Sequence, residues 1–157
     1  MVGNTPFIRS ATPEDAARMR VIARFAYAKY IPRIGREPAP MVEDYAVAIS
    51  ERDAFVIETG GAVRGYMIAW AEVDAYFIEN IGVDPACQGT GLGRSLVEYA
   101  VAEANRLRLP ALRLYTNELM TENLSMYAHF GFVETRRAVE HGFRRVFMIR
   151  RLPAGDR

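Results

Sequence analysis

The sequence predicts an α/β (α+β) fold in which a mixed sheet is covered by helices. Two observations support this prediction. Segments rich in β-branched and aromatic residues alternate along the chain with segments whose apolar residues recur at helical spacing. The clearest strand, residues 75–83, is followed by a glycine-rich loop and then by the clearest helix, which begins near Leu92.

The composition indicates one compact domain, which we expect to span residues 1–157. Hydrophobic residues make up 50% of the chain, charged residues 25%, and the net charge is +1. This balance, with arginines spread along the chain, argues against nucleic-acid binding. Because a signal peptide and a bilayer-spanning run are absent and Cys87 is the only cysteine, we expect a cytoplasmic protein with no membrane partner.

The first half of the chain begins with a strand over 7–9 and a helix that Thr12 caps, with Pro13 in its first turn. We expect Ile31-Pro32 to end that helix, because the prolines and glycine of 33–40 disfavour both helix and strand. A short helix over 41–50 comes next. The dipeptide Gly60-Gly61 then favours a hairpin turn between strands 54–58 and 62–70.

The second half continues the alternation of strands and helices. The helix after the glycine loop buries one face, since its apolar residues from Leu92 to Leu107 recur at helical spacing. After it we expect a strand, a helix and a terminal pair of strands, over 111–116, 121–130, 132–139 and 143–151.

The loop Gln88-Gly89-Thr90-Gly91-Leu92-Gly93 predicts an anion site, because glycines and a helix start present backbone N–H groups to a diphosphate. A nucleotide P-loop is set aside, since Arg94-Ser95 stands where a Lys followed by Ser or Thr is needed. A dinucleotide loop stays open as an alternative, although the spacing is G-x-G-x-G rather than G-x-G-x-x-G.

The same hexapeptide is similar to the Q/R-x-x-G-x-G/A motif of the GCN5-related N-acetyltransferases (GNAT). Downstream, Tyr127-Ala128-His129-Phe130-Gly131-Phe132 resembles the Y-x-x-x-G-F element of that family. The resemblance implies a mostly antiparallel central sheet with splayed central strands and about four flanking helices. It also implies an acyltransferase that moves acetyl from acetyl-coenzyme A to an amine without a metal. Members of this family are often homodimers.

Residue by residue, the resemblance implies a coenzyme site made largely of backbone. Ile81 and Val83 would pair with the pantetheine arm as an added strand does. The diphosphate would meet the loop and the first turn of the helix, namely Gln88, Gly89, Thr90, Gly91, Leu92, Gly93 and Arg94. One position departs from the family, which usually has an Asn seven residues before the tyrosine, where this chain has Met120. Asn123, one helical turn before Tyr127, would contact the coenzyme instead, or alternatively cap or brace its own helix.

Two residues are candidates for proton transfer. The resemblance implies that Tyr127 protonates the departing thiolate, which a phenol can do; the alternative is a packed tyrosine. Glu79 shares a strand face with Phe77 and Ile81, and we expect this apolar face to raise its pKa, as suits the base for the amine. The alternative for Glu79 is a carboxylate paired with an arginine.

The acceptor is the least defined part of the prediction. In the resembled family it lies near the segment that here holds Tyr30, Arg33 and Arg36, and the two arginines suit a carboxylate-bearing amine. A small-molecule amine and a protein amino group both stay open. So does a sensor that binds acyl-coenzyme A without turnover. The two histidines show no metal-ligand spacing, so we expect no metal site.

Overall fold

The structure is a computed structural model that describes residues 5–154, and its contacts divide the chain into two compact units. The first unit comprises Met1–Ala69 and Asn80–Leu96, and the second comprises Trp70–Glu79 and Val97–Arg157. That the chain acts as one N-acetyltransferase domain stays a prediction.

The first unit holds the amino-terminal strands and helices: β1 (Phe7–Ser10), α1 (Ala16–Tyr27), α2 (Ile31–Ile34), α3 (Ala39–Val42), α4 (Tyr45–Glu51), β2 (Asp53–Thr59) and most of β3 (Ala62–Ala71). Strand β4 (Tyr76–Val83) begins in the second unit and ends in the first, whereas helix α5 (Leu92–Arg106) begins in the first and continues in the second. The remaining elements of the second unit are β5 (Ala111–Asn117), α6 (Thr121–His129), β6 (Val133–Glu140) and β7 (Phe143–Arg151).

The strands pair in the order β1-β2-β3-β4-β5-β7-β6. Strands β4 and β5 are parallel, whereas β1–β2, β2–β3, β5–β7 and β6–β7 are antiparallel. The β4–β5 pairing runs from Tyr76–Leu112 to Ile78–Leu114, and both strands continue beyond it. The predicted mixed, mostly antiparallel fold is confirmed.

The core of the first unit is formed where α1 and α4 pack on β2 and β3. Its members are fully or almost fully buried: Met19, Ile22, Ala23, Tyr45, Ala48, Ala54, Val56, Tyr66 and Ile68. The α1 residues of this set recur at helical spacing, as expected for the buried face of an amphipathic helix. The hairpin prediction is also confirmed, since Gly60 and Gly61 have φ of 64° and 80° between paired residues Thr59 and Ala62.

The segment after α1 differs from the prediction. Ile31-Pro32 does not end the helical region, because a proline in the first turn of a helix loses no intrahelical hydrogen bond, and α2 begins there. Gly35, with φ of 87°, ends α2 instead. The expected helix over 41–50 is two helices, since Glu43 has an extended backbone and Asp44 caps α4 through the N–H of Val47.

Candidate functional site

The glycine loop is open and has the conformation that only glycine adopts without strain. Gly89 and Gly91 have φ of 80° and 90°, and an added Cβ at either position would have no atom within 4 Å. The four residues from Gln88 to Gly91 are exposed. A ligand can therefore approach the backbone of this loop directly.

Helix α5 begins inside the loop. Its first intrahelical bond runs from the N–H of Ser95 to the carbonyl oxygen of Gly91 at 3.0 Å, and the Ser95 hydroxyl donates to the same oxygen. The N–H groups of Leu92 and Gly93 therefore precede the intrahelical ladder, and they lie at the positive end of the helix dipole. Such a helix start is suited to a diphosphate.

Asp84 holds the turn between β4 and the loop. Its carboxylate accepts from the N–H of Ala86 at 3.0 Å and from the Arg18 guanidinium at 2.8 Å, and Arg64 lies 3.5 Å away. These contacts, the Ala86 N–H first, lower the pKa of Asp84 below its ordinary value. The carboxylate therefore stays charged at neutral pH and fixes where the loop begins.

The side chains of Gln88 and Thr90 both bond to the local backbone. The Gln88 amide donates to the carbonyl oxygen of Val83 at 3.3 Å, and the Thr90 hydroxyl donates to the carbonyl oxygen of Cys87. The hydroxyl hydrogen of Thr90 is thus already used within the loop. In this conformation a diphosphate would meet backbone N–H groups and not that hydrogen.

One edge of β4 receives its hydrogen bonds from side chains. The N–H of Asp84 bonds to the carbonyl oxygen of Arg64 in β3, so by strand alternation Ile81 and Val83 direct their backbone groups away from β3. On that side the Tyr27 hydroxyl donates to the carbonyl oxygen of Ile81 at 2.7 Å, and Gln88 donates to that of Val83. These two carbonyl oxygens are thus already bonded within the chain, and the pairing with the pantetheine arm expected at Ile81 and Val83 stays a prediction.

A buried polar network lies behind this edge, and the sequence reasoning missed it. Asn80 donates to the Tyr45 hydroxyl and accepts from the Tyr66 hydroxyl, each at 2.9 Å. Burial raises the pKa of Tyr66 well above its ordinary value, so the phenol stays protonated and donates. The detectable signal was a carboxamide in a strand that is otherwise mostly apolar.

Gly82 allows the Tyr66 ring to lie against β4. A Cβ at position 82 would be 2.3 Å from the Tyr66 ring, closer than any real contact. Glycine is therefore required between Ile81 and Val83, and the ring in turn positions the hydroxyl that bonds to Asn80.

In the second unit, Tyr127 occupies the last turn of α6 and is 5% exposed. Gly131, with φ of 93°, reverses the chain so that the N–H of Phe132 reaches the carbonyl oxygen of Tyr127 at 3.0 Å. The Phe132 ring packs edge-on against the Tyr127 ring, with centroids 5.7 Å apart. The Y-x-x-x-G-F pattern is thus a glycine-capped helix end closed by an apolar contact.

Asn123 lies one helical turn before Tyr127 and is half-buried. Its side-chain amide is 3.7 Å from the sulfur of Met120, the residue that precedes the helix. This contact suits a residue that braces the start of α6, and the coenzyme contact expected for Asn123 stays a prediction.

Glu79 is the last residue of β4 that belongs to the second unit, and it is half-buried. It shares a strand face with Phe77, whose ring lies 4.8 Å from that of Trp70 and 5.6 Å from that of Tyr115. The carboxylate therefore lies on the same face as a row of aromatic rings, as the strand alternation predicted.

The expected acceptor residues belong to the first unit. Tyr30 is 1% exposed and belongs to the core, so its expected contact with the acceptor stays a prediction. The Arg33 guanidinium lies 5.3 Å from the centre of that ring, and the Lys29 ammonium 5.2 Å from it. Arg33 and Arg36 are both exposed, Arg36 just beyond the αL residue that ends α2.

Two further observations concern metals and membranes. Within residues 5–154, no group of three or more histidine, cysteine, aspartate or glutamate side chains is placed to hold a metal ion. Over the same residues, every helix is too short or too polar to cross a bilayer.

Comparison with known proteins identifies the family. Residues 50–134 match the profile of the acetyltransferase (GNAT) domain, so the chain belongs to the GNAT family. The matched range includes β4, the glycine loop, α5 and the Tyr127 element.

Relatives of known name agree with this assignment. A mycothiol acetyltransferase from Geodermatophilus obscurus is 42% identical over 65 residues, which cover 41% of this chain and 20% of that protein. The chain therefore matches only about a fifth of the length of this curated relative.

Solved structures share the fold across nearly the whole chain. The ribosomal-protein-S18-alanine N-acetyltransferase from Escherichia coli has a TM-score of 0.75 at 21% identity and covers 94% of each chain. The PaiA N-acetyltransferase from Thermoplasma acidophilum, solved in complex with coenzyme A, has a TM-score of 0.75 at 14% identity and covers 94% of this chain and 99% of its own. At these identities the likeness shows the fold alone.

Proposed function

We propose that this protein is an acetyl-coenzyme A-dependent N-acetyltransferase that transfers acetyl directly to an amine. The observation that carries the proposal is the loop at the start of α5. There the backbone conformations of Gly89 and Gly91 would be strained for any other residue, and no atom lies within 4 Å of a Cβ added at either position. Family membership supports the same conclusion.

The residues present fit coenzyme A. The exposed loop and the first N–H groups of α5 would hold its diphosphate, with Arg94 as a further cation nearby. The edge of β4 at Ile81 and Val83 would pair with the amides of the pantetheine arm. Bound in this way, the acetyl thioester supplies an activated acyl group.

Two residues would move the protons. As the amine nitrogen attacks the thioester carbon, a C–N bond forms, the C–S bond breaks and its electron pair goes to sulfur. Glu79 would take the proton that the amine loses, directly or through water, and the Tyr127 hydroxyl would give a proton to the departing sulfur. The phenol would then recover its proton from solvent.

The acceptor is proposed only as a class. Arg33 and Arg36 are exposed guanidiniums beside a buried tyrosine, which suits a carboxylate-bearing amine of a small molecule or peptide. The proposal also includes a cytoplasmic location and a homodimeric assembly. Acceptors that lack a carboxylate and react equally well would remove the role of the arginines.

Thermal unfolding with four ligands in parallel tests the proposal, since a ligand that binds only the folded chain raises the unfolding temperature. We expect a rise with acetyl-coenzyme A and with coenzyme A, and none with NAD or ATP. Thiol release in the presence of an amine panel then separates an enzyme from a sensor that binds without turnover. A rise with NAD alone would identify a dinucleotide loop and refute the proposal.

A further inference from the structure

A cleft of about 450 Å³ lies on the exposed face of the second unit. Phe77 and Phe147 supply aromatic surface, and Arg113, Arg136 and Arg151 supply three guanidiniums. One carboxylate, that of Glu72, also lines it. The cleft is therefore both apolar and positively charged.

The floor of the cleft belongs to a row of rings that crosses four strands. Neighbouring ring centroids lie 4.8 Å apart for Trp70 and Phe77, 5.6 Å for Phe77 and Tyr115, and 5.7 Å for Tyr115 and Phe147. Strand pairing fixes this row, because Phe77 is opposite Arg113 and Tyr115 is opposite Phe147. Guanidiniums cover two of these rings, since Arg136 lies 3.7 Å from the centre of the Phe147 ring and Arg145 lies 4.2 Å from that of Tyr115. The apolar surface open to a flat ligand in the cleft is therefore that beside Phe77.

The charge above this floor is held in place and only partly neutralised. The Arg136 guanidinium lies 3.7 Å from the centre of the Phe147 ring. Across residues 5–154, no carboxylate lies within ion-pair distance of Arg136 or Arg151, whereas Arg113 lies 3.4 Å from both Glu72 and Asp74. A guanidinium stacked on a ring keeps its in-plane N–H donors for an anion, which it can bind through two hydrogen bonds.

We propose that this cleft binds a flat apolar group that carries an anion, either a carboxylate or a phosphate. Phe77 is two residues before Glu79 on the same strand face, a separation of about 7 Å. If the ligand is the amine acceptor, its anionic end would extend from Glu79 over Phe77 towards Arg136, in place of the site at Arg33 and Arg36 considered above. This last step, which names the ligand as the acceptor, rests on the proposed function, whereas the binding itself does not.

Trp70 is the only tryptophan of the chain, and its contact with Phe77 makes its fluorescence a direct reporter. We would titrate the full chain, without acetyl-coenzyme A, with 4-(aminomethyl)benzoate, phenyl phosphate and 4-methylbenzylamine. The titrations would be repeated with Arg136→Gln and Arg151→Gln. Arg144→Gln is the matched control, because Arg144 is an exposed arginine of β7, the strand that also carries Arg151, and it pairs with Glu118.

We expect at least one of the two anionic probes to bind about tenfold or more tightly than 4-methylbenzylamine, as a charged hydrogen bond allows. Whichever of these two probes binds more tightly shows whether the cleft prefers a carboxylate or a phosphate. Arg136→Gln should remove most of this preference, and Arg144→Gln should leave it unchanged. Equal binding of the anionic probes and of 4-methylbenzylamine, which carries no anion, or a preference that survives Arg136→Gln, would overturn the inference.

The variant Arg33→Gln tests whether the anion binds at the arginines that follow α1 and not in this cleft. If that variant abolished the anion preference and Arg136→Gln did not, the anion would bind in the first unit and the inference would be wrong. Because no step of these titrations needs turnover, a chain that binds the probes but releases no thiol would leave the cleft standing and refute the proposed activity.

Discussion

The Tyr27 hydroxyl donates a 2.7 Å hydrogen bond to the carbonyl oxygen of Ile81, so a side chain from α1 satisfies the backbone of β4 at a residue expected to bind the coenzyme. Tyr27 is 6% exposed, and its hydroxyl is also 3.5 Å from the side-chain oxygen of Asn80. The edge of β4 is therefore held in position from within the first unit, before any ligand is present.

Tyr27→Phe should destabilise the fold, because it leaves a carbonyl oxygen in a buried place without this donor. The expected loss in the free energy of unfolding is about 1–3 kcal/mol, the usual cost of a buried unsatisfied polar group. Urea unfolding measures it, with Tyr99→Phe on the half-buried face of α5 as the control. An unchanged unfolding midpoint would mean that the hydroxyl contributes nothing to the β4 edge.

Asp15 should make stability depend on pH. Its carboxylate accepts from Arg9 at 2.8 and 3.0 Å and from the N–H of Thr12 at 2.8 Å, and the Arg9 bonds hold its pKa below the ordinary value. A depressed pKa gives stability that is present above about pH 4 and is lost as the pH falls through the folded value.

Asp15→Asn should therefore lower the free energy of unfolding at pH 7 by about 1–3 kcal/mol and flatten its fall in acid. Chemical unfolding at a series of pH values from 7 to 3 measures both effects. Asp74→Asn is the control, because the Asp74 side chain is 65% exposed and lies 3.4 Å from its partner Arg113. An Asp15→Asn curve parallel to that of the wild type would contradict the linkage.

Tyr127→Phe should lower kcat by about 10²-fold or more, because only the hydroxyl is removed and general acid catalysis typically contributes 10²–10⁴-fold. The ring contact with Phe132 is retained, so coenzyme A affinity should stay close to wild type. Thiol release gives kcat, and Tyr99→Phe again serves as control. Full activity in Tyr127→Phe would remove Tyr127 as the proton donor.

Glu79→Gln should remove the acidic limb of the pH profile. A base works only when deprotonated, so in the wild type kcat/KM falls as the pH drops below the pKa of Glu79. The variant should be slow at every pH and lack this fall. Glu103→Gln, on α5 and paired with Arg106 at 2.9 Å, is the control. If the acidic limb is unchanged in Glu79→Gln, another group is the base.

Local patterns predicted most of the fold because each depends on neighbouring residues. The helical spacing in α1, the turn at Gly60-Gly61 and the glycine loop before α5 are all features of this kind. The break expected at Ile31-Pro32 was wrong because proline also suits the first turn of a new helix, and the surrounding sequence does not say which role it has.

The polar network and the cleft could not be predicted, because each joins residues that are distant in sequence. Asn80 meets Tyr45 from 35 positions away, and Gly82 is needed only because Tyr66 packs against it. Arg136 is one of many arginines until strand pairing places Phe147 beneath it. Contacts of this kind depend on register, which a single sequence specifies only weakly.

The central claim is that the loop from Gln88 to Gly93 binds the diphosphate of coenzyme A, and calorimetric titration of Gly91→Ala tests it most directly. Alanine at a φ of 90° is strained by about 1–2 kcal/mol. The free loop can relieve this strain by changing conformation and the bound loop cannot, so coenzyme A should bind about tenfold more weakly, while pantetheine, which lacks the diphosphate, should be unaffected. Gly61→Ala is the matched control, with φ of 80° and no atom within 4 Å of its added Cβ. Equal coenzyme A affinity in the two variants would contradict the claim.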